Sequence, residues 1–120
     1  DPAWEGRSWI AEDAQGAVAG RFVAVPGHEA RVVEIGYITC AAWQGRGVAR
    51  ECMAALVAQL FAEGARKLTA EIDAANHASL RLAEALGFTR EALLRAHETT
   101  HEGLRDVCLY GLLDSDPRPA

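Results

Sequence analysis

One hundred and twenty residues, 50% of them apolar and 24% charged, suit one globular domain with a real core and are too few for two. A formal net charge of -5, with no basic stripe or tail, excludes a protein built mainly to grip nucleic acid. Cys40, Cys52 and Cys108 are far apart and odd in number, which excludes a disulfide framework or a zinc spacing and points to a reduced, cytoplasmic setting. No apolar run approaches the roughly 18 residues of a membrane span, and no signal peptide is visible.

In chain order, residues 8–12 read as a short strand, Asp13-Ala14-Gln15-Gly16 as a turn, and residues 18–25 as the returning arm of a hairpin broken by Pro26-Gly27. Residues 31–39 are largely apolar on both alternating faces, which predicts an interior strand. Gly36 within it marks a bulge or the close approach of a ligand chain. Val48, Cys52, Leu56 and Leu60, with Met53, Val57 and Phe61 alongside, form one broad face of a helix that Gly64 ends. Residues 67–73 set Leu68, Ala70 and Ile72 against Thr69, Glu71 and Asp73, a strand with one buried face. Strand, helix, strand in this order predicts a parallel crossover. A second helix spans residues 77–86, capped by Asn76 and stopped by Gly87. Residues 88–95 and 105–113 read as the arms of an antiparallel hairpin around Glu102-Gly103, and residues 114–120 as a frayed tail behind a single domain of residues 1–113.

The start of the first helix carries the strongest chemical signal. No Ser, Thr, Asp or Asn stands where an N-cap side chain would satisfy the first backbone amides; Gly45 and Gly47 stand there instead, with Arg46 and Arg50 close by. Bare amides, glycines that let a ligand approach and two arginines make a site for an anion, most naturally a phosphate or pyrophosphate. The plain alternative is a glycine-rich turn that lets strand and helix pack.

Other motifs carry less. His97-Glu98-Thr99-Thr100-His101 spells the H-E-x-x-H of zinc proteases, but that chemistry needs a helix, and the surroundings read as strands. On a strand, histidines four apart stand about 13 Å from one another, too far for one zinc. Gly45-x-Gly47-x-x-Arg50 lacks the third glycine of the dinucleotide fingerprint, and no Gly-Lys-Ser/Thr completes a P-loop. Trp4, Trp9 and Trp43 read as packing or pocket-lining groups.

Gln44-Gly45-Arg46-Gly47-Val48-Ala49 resembles the Q/R-x-x-G-x-G/A motif of the GNAT superfamily of acyl-CoA-dependent N-acetyltransferases. Asn76-x-x-Ser79, Leu86-Gly87-Phe88 and Gly103-x-Arg105-Asp106 before Tyr110 resemble the branch that includes ribosomal-protein N-terminal acetyltransferases and spermidine acetyltransferases. The resemblance implies an α/β (α+β) fold: a mixed, mainly antiparallel sheet whose two central parallel strands splay apart, with flanking helices and acyl-CoA in the splay. By the same resemblance Gly45, Arg46, Gly47, Val48 and Ala49 hold the pyrophosphate. The backbone of Tyr37, Ile38 and Thr39 pairs with the pantetheine arm, and Asn76 and Ser79 reach the thioester. The family's opening strand and helices, which wall the acceptor pocket, are not recognised in the chain. Ala83 stands where many relatives carry a tyrosine general acid.

Direct transfer to an alkyl amine, with pKa near ~10, needs a base, because the amine is almost wholly protonated at neutral pH. Glu71, on the second parallel strand and matching a glutamate proposed as base in relatives, leads; Glu34 on the other central strand is second, either acting directly or through water. Ser79 supplies a hydroxyl to the leaving sulfur in some relatives. The expected donor is acetyl-CoA, the acceptor an amine, with no metal, no nucleic acid and no membrane. A homodimer through an exposed sheet edge or the C-terminal hairpin is compatible with the pattern. A non-catalytic acyl-CoA-binding or interaction module is the alternative.

Overall fold

A computed structural model describes residues 6–12, 15–39 and 47–118. Six strands form one sheet in the order β1-β2-β3-β4-β6-β5: β1 (Arg7–Glu12), β2 (Val18–Pro26), β3 (Val32–Thr39), β4 (Lys67–Asp73), β5 (Thr89–Thr100) and β6 (Gly103–Leu113). Helix α1 (Val48–Ala62) joins β3 to β4, and α2 (His77–Ala85) joins β4 to β5. Every neighbouring strand pair is antiparallel except β3 and β4. The mixed sheet with a central parallel pair is therefore the architecture expected from the sequence.

Both helices lie on one face of that sheet, since residues of both join a single core. Met53, Leu56, Val57, Leu60 and Phe61 of α1 meet Leu80 and Ala83 of α2 over Phe22, Ile35, Leu68, Tyr110 and Leu112. Tyr110, Leu68 and Leu112 at its centre are fully buried. Alternation along the strands then sends Glu34 on β3 and Thr69, Glu71 and Asp73 on β4 to the opposite face.

Each helix ends as its glycine requires. Gly64 (φ 108°) donates to Phe61 and Ala65 donates to Leu60, and Gly87 (φ 99°) donates to Glu84 and Phe88 to Ala83, the paired bonds of a Schellman ending. Asn76 caps α2, its Oδ1 accepting from the Ser79 amide at 3.2 Å.

The C-terminal hairpin is longer than the sequence reading had it. β5 continues past Arg95 to Thr100 through a bulge between Leu94 and Glu98, where Ala96 takes φ 48° and its amide donates to Asp106 Oδ1 at 2.8 Å. The H-E-x-x-H stretch thus runs along a strand and into the turn, with Glu98 opposite Arg105. Gly36 sits in unbroken register opposite Val23, so of its two readings the bulge is wrong; the irregularities fall in β1 and β5 instead. Residues 114–118 lie back on the body: the Asp114 amide donates to the Arg66 carbonyl, and the Arg118 guanidinium lies 4.7 Å from the Phe61 ring centre.

Candidate active site

The parallel pairing of β3 and β4 stops early. It holds Val32, Val33 and Glu34 against Lys67, Leu68 and Thr69, and beyond those three pairs the strands separate although β3 runs to Thr39 and β4 to Asp73. Past that point β3 stays paired with β2 on one side, and β4 with β6 on the other. Their facing edges, residues 35–39 and 70–73, therefore present main-chain donors and acceptors to a gap, an arrangement that would accept a strand-like, amide-bearing chain. Into the gap opens a cleft of about 160 Å³ lined by Gly36, Tyr37, Glu71, Asn76, Ser79 and Ala83 among others.

The first turn of α1 lies beyond the end of β3. Gly47 is its N-cap, in the left-handed region at φ 76°, and among the described residues no side chain caps the helix. Among the described residues the amides of the first turn thus lack the side-chain acceptor that most helix starts have, and a Cβ at Gly47 would meet none of those residues' atoms within 4 Å. Helix amides that no described side chain caps suit an anion such as a pyrophosphate, the group that a coenzyme A donor would present there. Gln44, Gly45 and Arg46 lie outside the described residues. Val48 and Ala49 are the first two residues of α1, and Tyr37, Ile38 and Thr39 form the separated end of β3.

On the face away from the helices, Glu34 and Glu71 come close enough for their charges to interact. Burial pushes the half-buried Glu34 carboxyl above the usual range, and the Glu71 charge pushes it further. Glu71 is exposed and lines the cleft. Two carboxylates that the sequence offers as alternatives are thereby one cluster, in which Glu71 is exposed and Glu34 is more basic than an ordinary glutamate. Asp73, next on the same face, is held below the carboxylate range by the Ala75 amide and by Arg105, whose Nε donates to its Oδ2 at 2.9 Å.

On the helix face, the Tyr37 and Ser79 hydroxyl oxygens stand 2.9 Å apart. The bond reaches from β3 to α2 across the separation of the strands. Asn76, whose Oδ1 already holds the Ser79 amide, fixes the start of α2 beneath it. Ala83 places only a methyl in the cleft. Sequence reasoning used the Tyr37 main chain and passed over its phenol, since a tyrosine in register with the core residue Ile35 reads as packing; its ring does stack on Phe22, 6.2 Å between centres. No spacing rule joins it to a serine 42 positions away.

The remaining motif residues hold the frame. Arg105 ties β6 to β4 through Asp73, Asp106 secures the β5 bulge, and the Tyr110 hydroxyl donates to Glu84 at 2.7 Å, fastening α2 to the sheet. Among the described residues no group of three His, Cys, Asp or Glu side chains is placed to share a metal ion.

Comparison with known proteins agrees with this geometry. The chain is similar in fold to spermidine N-acetyltransferase SpeG from Vibrio cholerae, in a chimera with hSSAT, at 24% identity and a TM-score of 0.83, covering 92% of this chain and 68% of that one. It is also similar to ribosomal-protein-S5-alanine acetyltransferase from Vibrio fischeri, at 19% identity and a TM-score of 0.85, covering 95% of this chain and 64% of that one. The chain thus spans about two thirds of the length of the structures it matches. No curated protein sequence matches it significantly. The acetyltransferase (GNAT) domain matches residues 1–89, three quarters of the chain and all of the elements that build the cleft. The protein therefore belongs to the GNAT acetyltransferase family, and the gap between its two parallel strands lies in an N-acetyltransferase.

Proposed function

We propose that residues 1–113 form one acyl-CoA-binding domain that transfers acetyl directly from acetyl-CoA to a primary amine, either a protein N-terminus or a small molecule. The observation that carries this reading is the early end of the β3–β4 pairing, with helix amides that no described side chain caps beyond one end of the gap and the Glu34–Glu71 pair where the pairing stops. Gly45, Arg46, Gly47, Val48 and Ala49, with Gln44 before them, hold the pyrophosphate. The main chain of Tyr37, Ile38 and Thr39 pairs with the pantetheine arm, while Asn76 and Ser79 flank the thioester. Acetyl-CoA supplies an activated acyl carbon. The protein's task is to bring a neutral amine to it and to return a proton to the sulfur. Glu71 takes the amine proton directly or through water, a contribution of roughly 10²–10⁴ in rate, and Glu34 keeps that proton within the carboxylate pair. Ser79 faces the departing sulfur. Because the donor is an intracellular metabolite, the reaction belongs in the cytoplasm; no described helix is long and apolar enough to cross a membrane. A homodimer formed along an open sheet edge belongs to the same reading.

A second reading, a domain that binds acyl-CoA without turnover, draws on Ala83, whose methyl offers no proton where many relatives have a tyrosine. Calorimetric titration of acetyl-CoA, followed by turnover across a panel of amines, separates the two. Micromolar binding is expected, reduced at least tenfold in Gly47→Glu and much less in Gly47→Ala, which shares the strain of a left-handed φ without the charge. Equal loss in both variants would reduce the anion site to a turn. Tight binding with no turnover on any amine would favour the second reading.

A further inference from the structure

Tyr37 and Ser79 each have a second contact besides the bond between them. Ser79 already has its place through the Asn76 cap, and Tyr37 through its stack on Phe22. A hydroxyl pair at 2.9 Å nevertheless spans the cleft where the strands part, partly buried, next to the methyl of Ala83. A serine hydroxyl alone is a weak acid and a freely turning one; a phenol, with pKa near ~10, is a far better source of a proton for a departing thiolate.

We propose that Tyr37 is a positioning residue for proton delivery, its phenol holding the Ser79 hydroxyl toward the sulfur that leaves the thioester and restoring the proton that Ser79 gives up. The inference rests on the reading of Ser79 as the group facing that sulfur. The step balances without a co-reactant. The amine nitrogen bonds to the acyl carbon and the carbon–sulfur bond breaks; its electron pair goes to sulfur, the Ser79 proton moves to that sulfur, and the Tyr37 proton moves to the Ser79 oxygen. The amine nitrogen meanwhile loses one proton to the carboxylate pair on the other face, and exchange through solvent returns it to the Tyr37 oxygen. Acid and base thus act from opposite faces of the sheet, with the gap between them.

The test needs no acceptor. Coenzyme A is bound to the protein, and the pKa of its bound thiol is read from the thiolate ultraviolet absorbance, with a desulfo-coenzyme A complex as blank for the cysteines. A serine held to donate toward sulfur lowers the bound thiol pKa below that of the free thiol. Tyr37→Phe, which keeps the ring and its stack, is expected to raise it by about one unit, a tenfold change in thiolate. Ser79→Ala should raise it at least as much, and the double variant no more than Ser79→Ala. Every variant is compared at coenzyme A saturation, so that a change in affinity does not enter the thiol pKa. An unmoved thiol pKa in Tyr37→Phe, with a shift in Ser79→Ala, would overturn the role of Tyr37 and leave Ser79 standing. No shift in either would overturn the Ser79 reading, and the relay with it. Absence of coenzyme A binding by the parent protein would overturn the donor assignment itself.

Discussion

Glu34 is the residue whose surroundings make the sharpest statement. Burial and the Glu71 charge both disfavour its ionised form, so its folded pKa lies above its unfolded one. The sign follows from proton linkage: the folded state binds the extra proton, so the group weakens the fold as pH rises through the folded pKa and costs nothing below the ordinary carboxylate range of about 4.3. Glu34→Gln is therefore expected to melt higher than the parent protein at neutral pH and at the same temperature near pH 4, as scanning calorimetry at the two pH values would show. Equal melting temperatures at both would mean that Glu34 is solvated. Catalysis should show the cluster from the other side. Glu71→Gln is expected to lower turnover by roughly 10² or more, and Glu34→Gln to flatten the acid limb of the pH–rate profile with a smaller loss. A profile unchanged in both variants would move the proton acceptor to water. The types of these two residues were legible in the sequence, and alternation put Glu71 on the polar face of its own strand. Their proximity was not, because the two glutamates are 37 positions apart and meet only through the pairing of their strands.

Among the elements, α2 tests how much one residue can do for both structure and chemistry. Asn76 caps the helix and also lines the cleft. Removing the cap in Asn76→Ala should cost about 1 kcal/mol in urea unfolding. Asn76→Asp keeps an acceptor for the Ser79 amide and should restore most of that stability, while losing the amide donor and placing a negative charge beside the coenzyme. Loss of coenzyme affinity in Asn76→Asp with stability retained would identify a ligand contact; parallel loss or retention of both would confine the residue to capping. Helix starts and stops were readable because capping is local chemistry: an asparagine, or a glycine that accepts positive φ, acts on amides within four residues of itself. β5 was readable only in part. Its last third has no apolar alternation, and it is a strand because β6 pairs with it and because Asp106 holds the Ala96 amide from ten residues away.

At the scale of the molecule, the separated strands are held apart while each stays anchored to an outer partner. β2 supports β3 from Val33 to Thr39, and β6 supports β4 from Lys67 to Asp73. The gap is thus a fixed feature of the sheet, and a ligand that pairs with both edges would close it. Acetyl-CoA at about 100 times its Kd should stabilise the protein by about 2.7 kcal/mol. Hydrogen exchange should slow in residues 35–39 and 70–73 and stay unchanged in the β1–β2 hairpin. Protection spread evenly over the sheet would indicate general tightening without strand-like pairing in the gap.

The sequence by itself determined the order and type of the elements, the interior character of β3, the uncapped start of α1 and the family resemblance. Each of these rests on periodicity or on chemistry within a few residues. Only the tertiary structure decided where the β3–β4 pairing ends, that Glu34 and Glu71 form one cluster, and that the Tyr37 phenol meets the Ser79 hydroxyl across the sheet. Those contacts depend on strand register and helix placement. These are properties of the whole packed core, and no window of the chain encodes them.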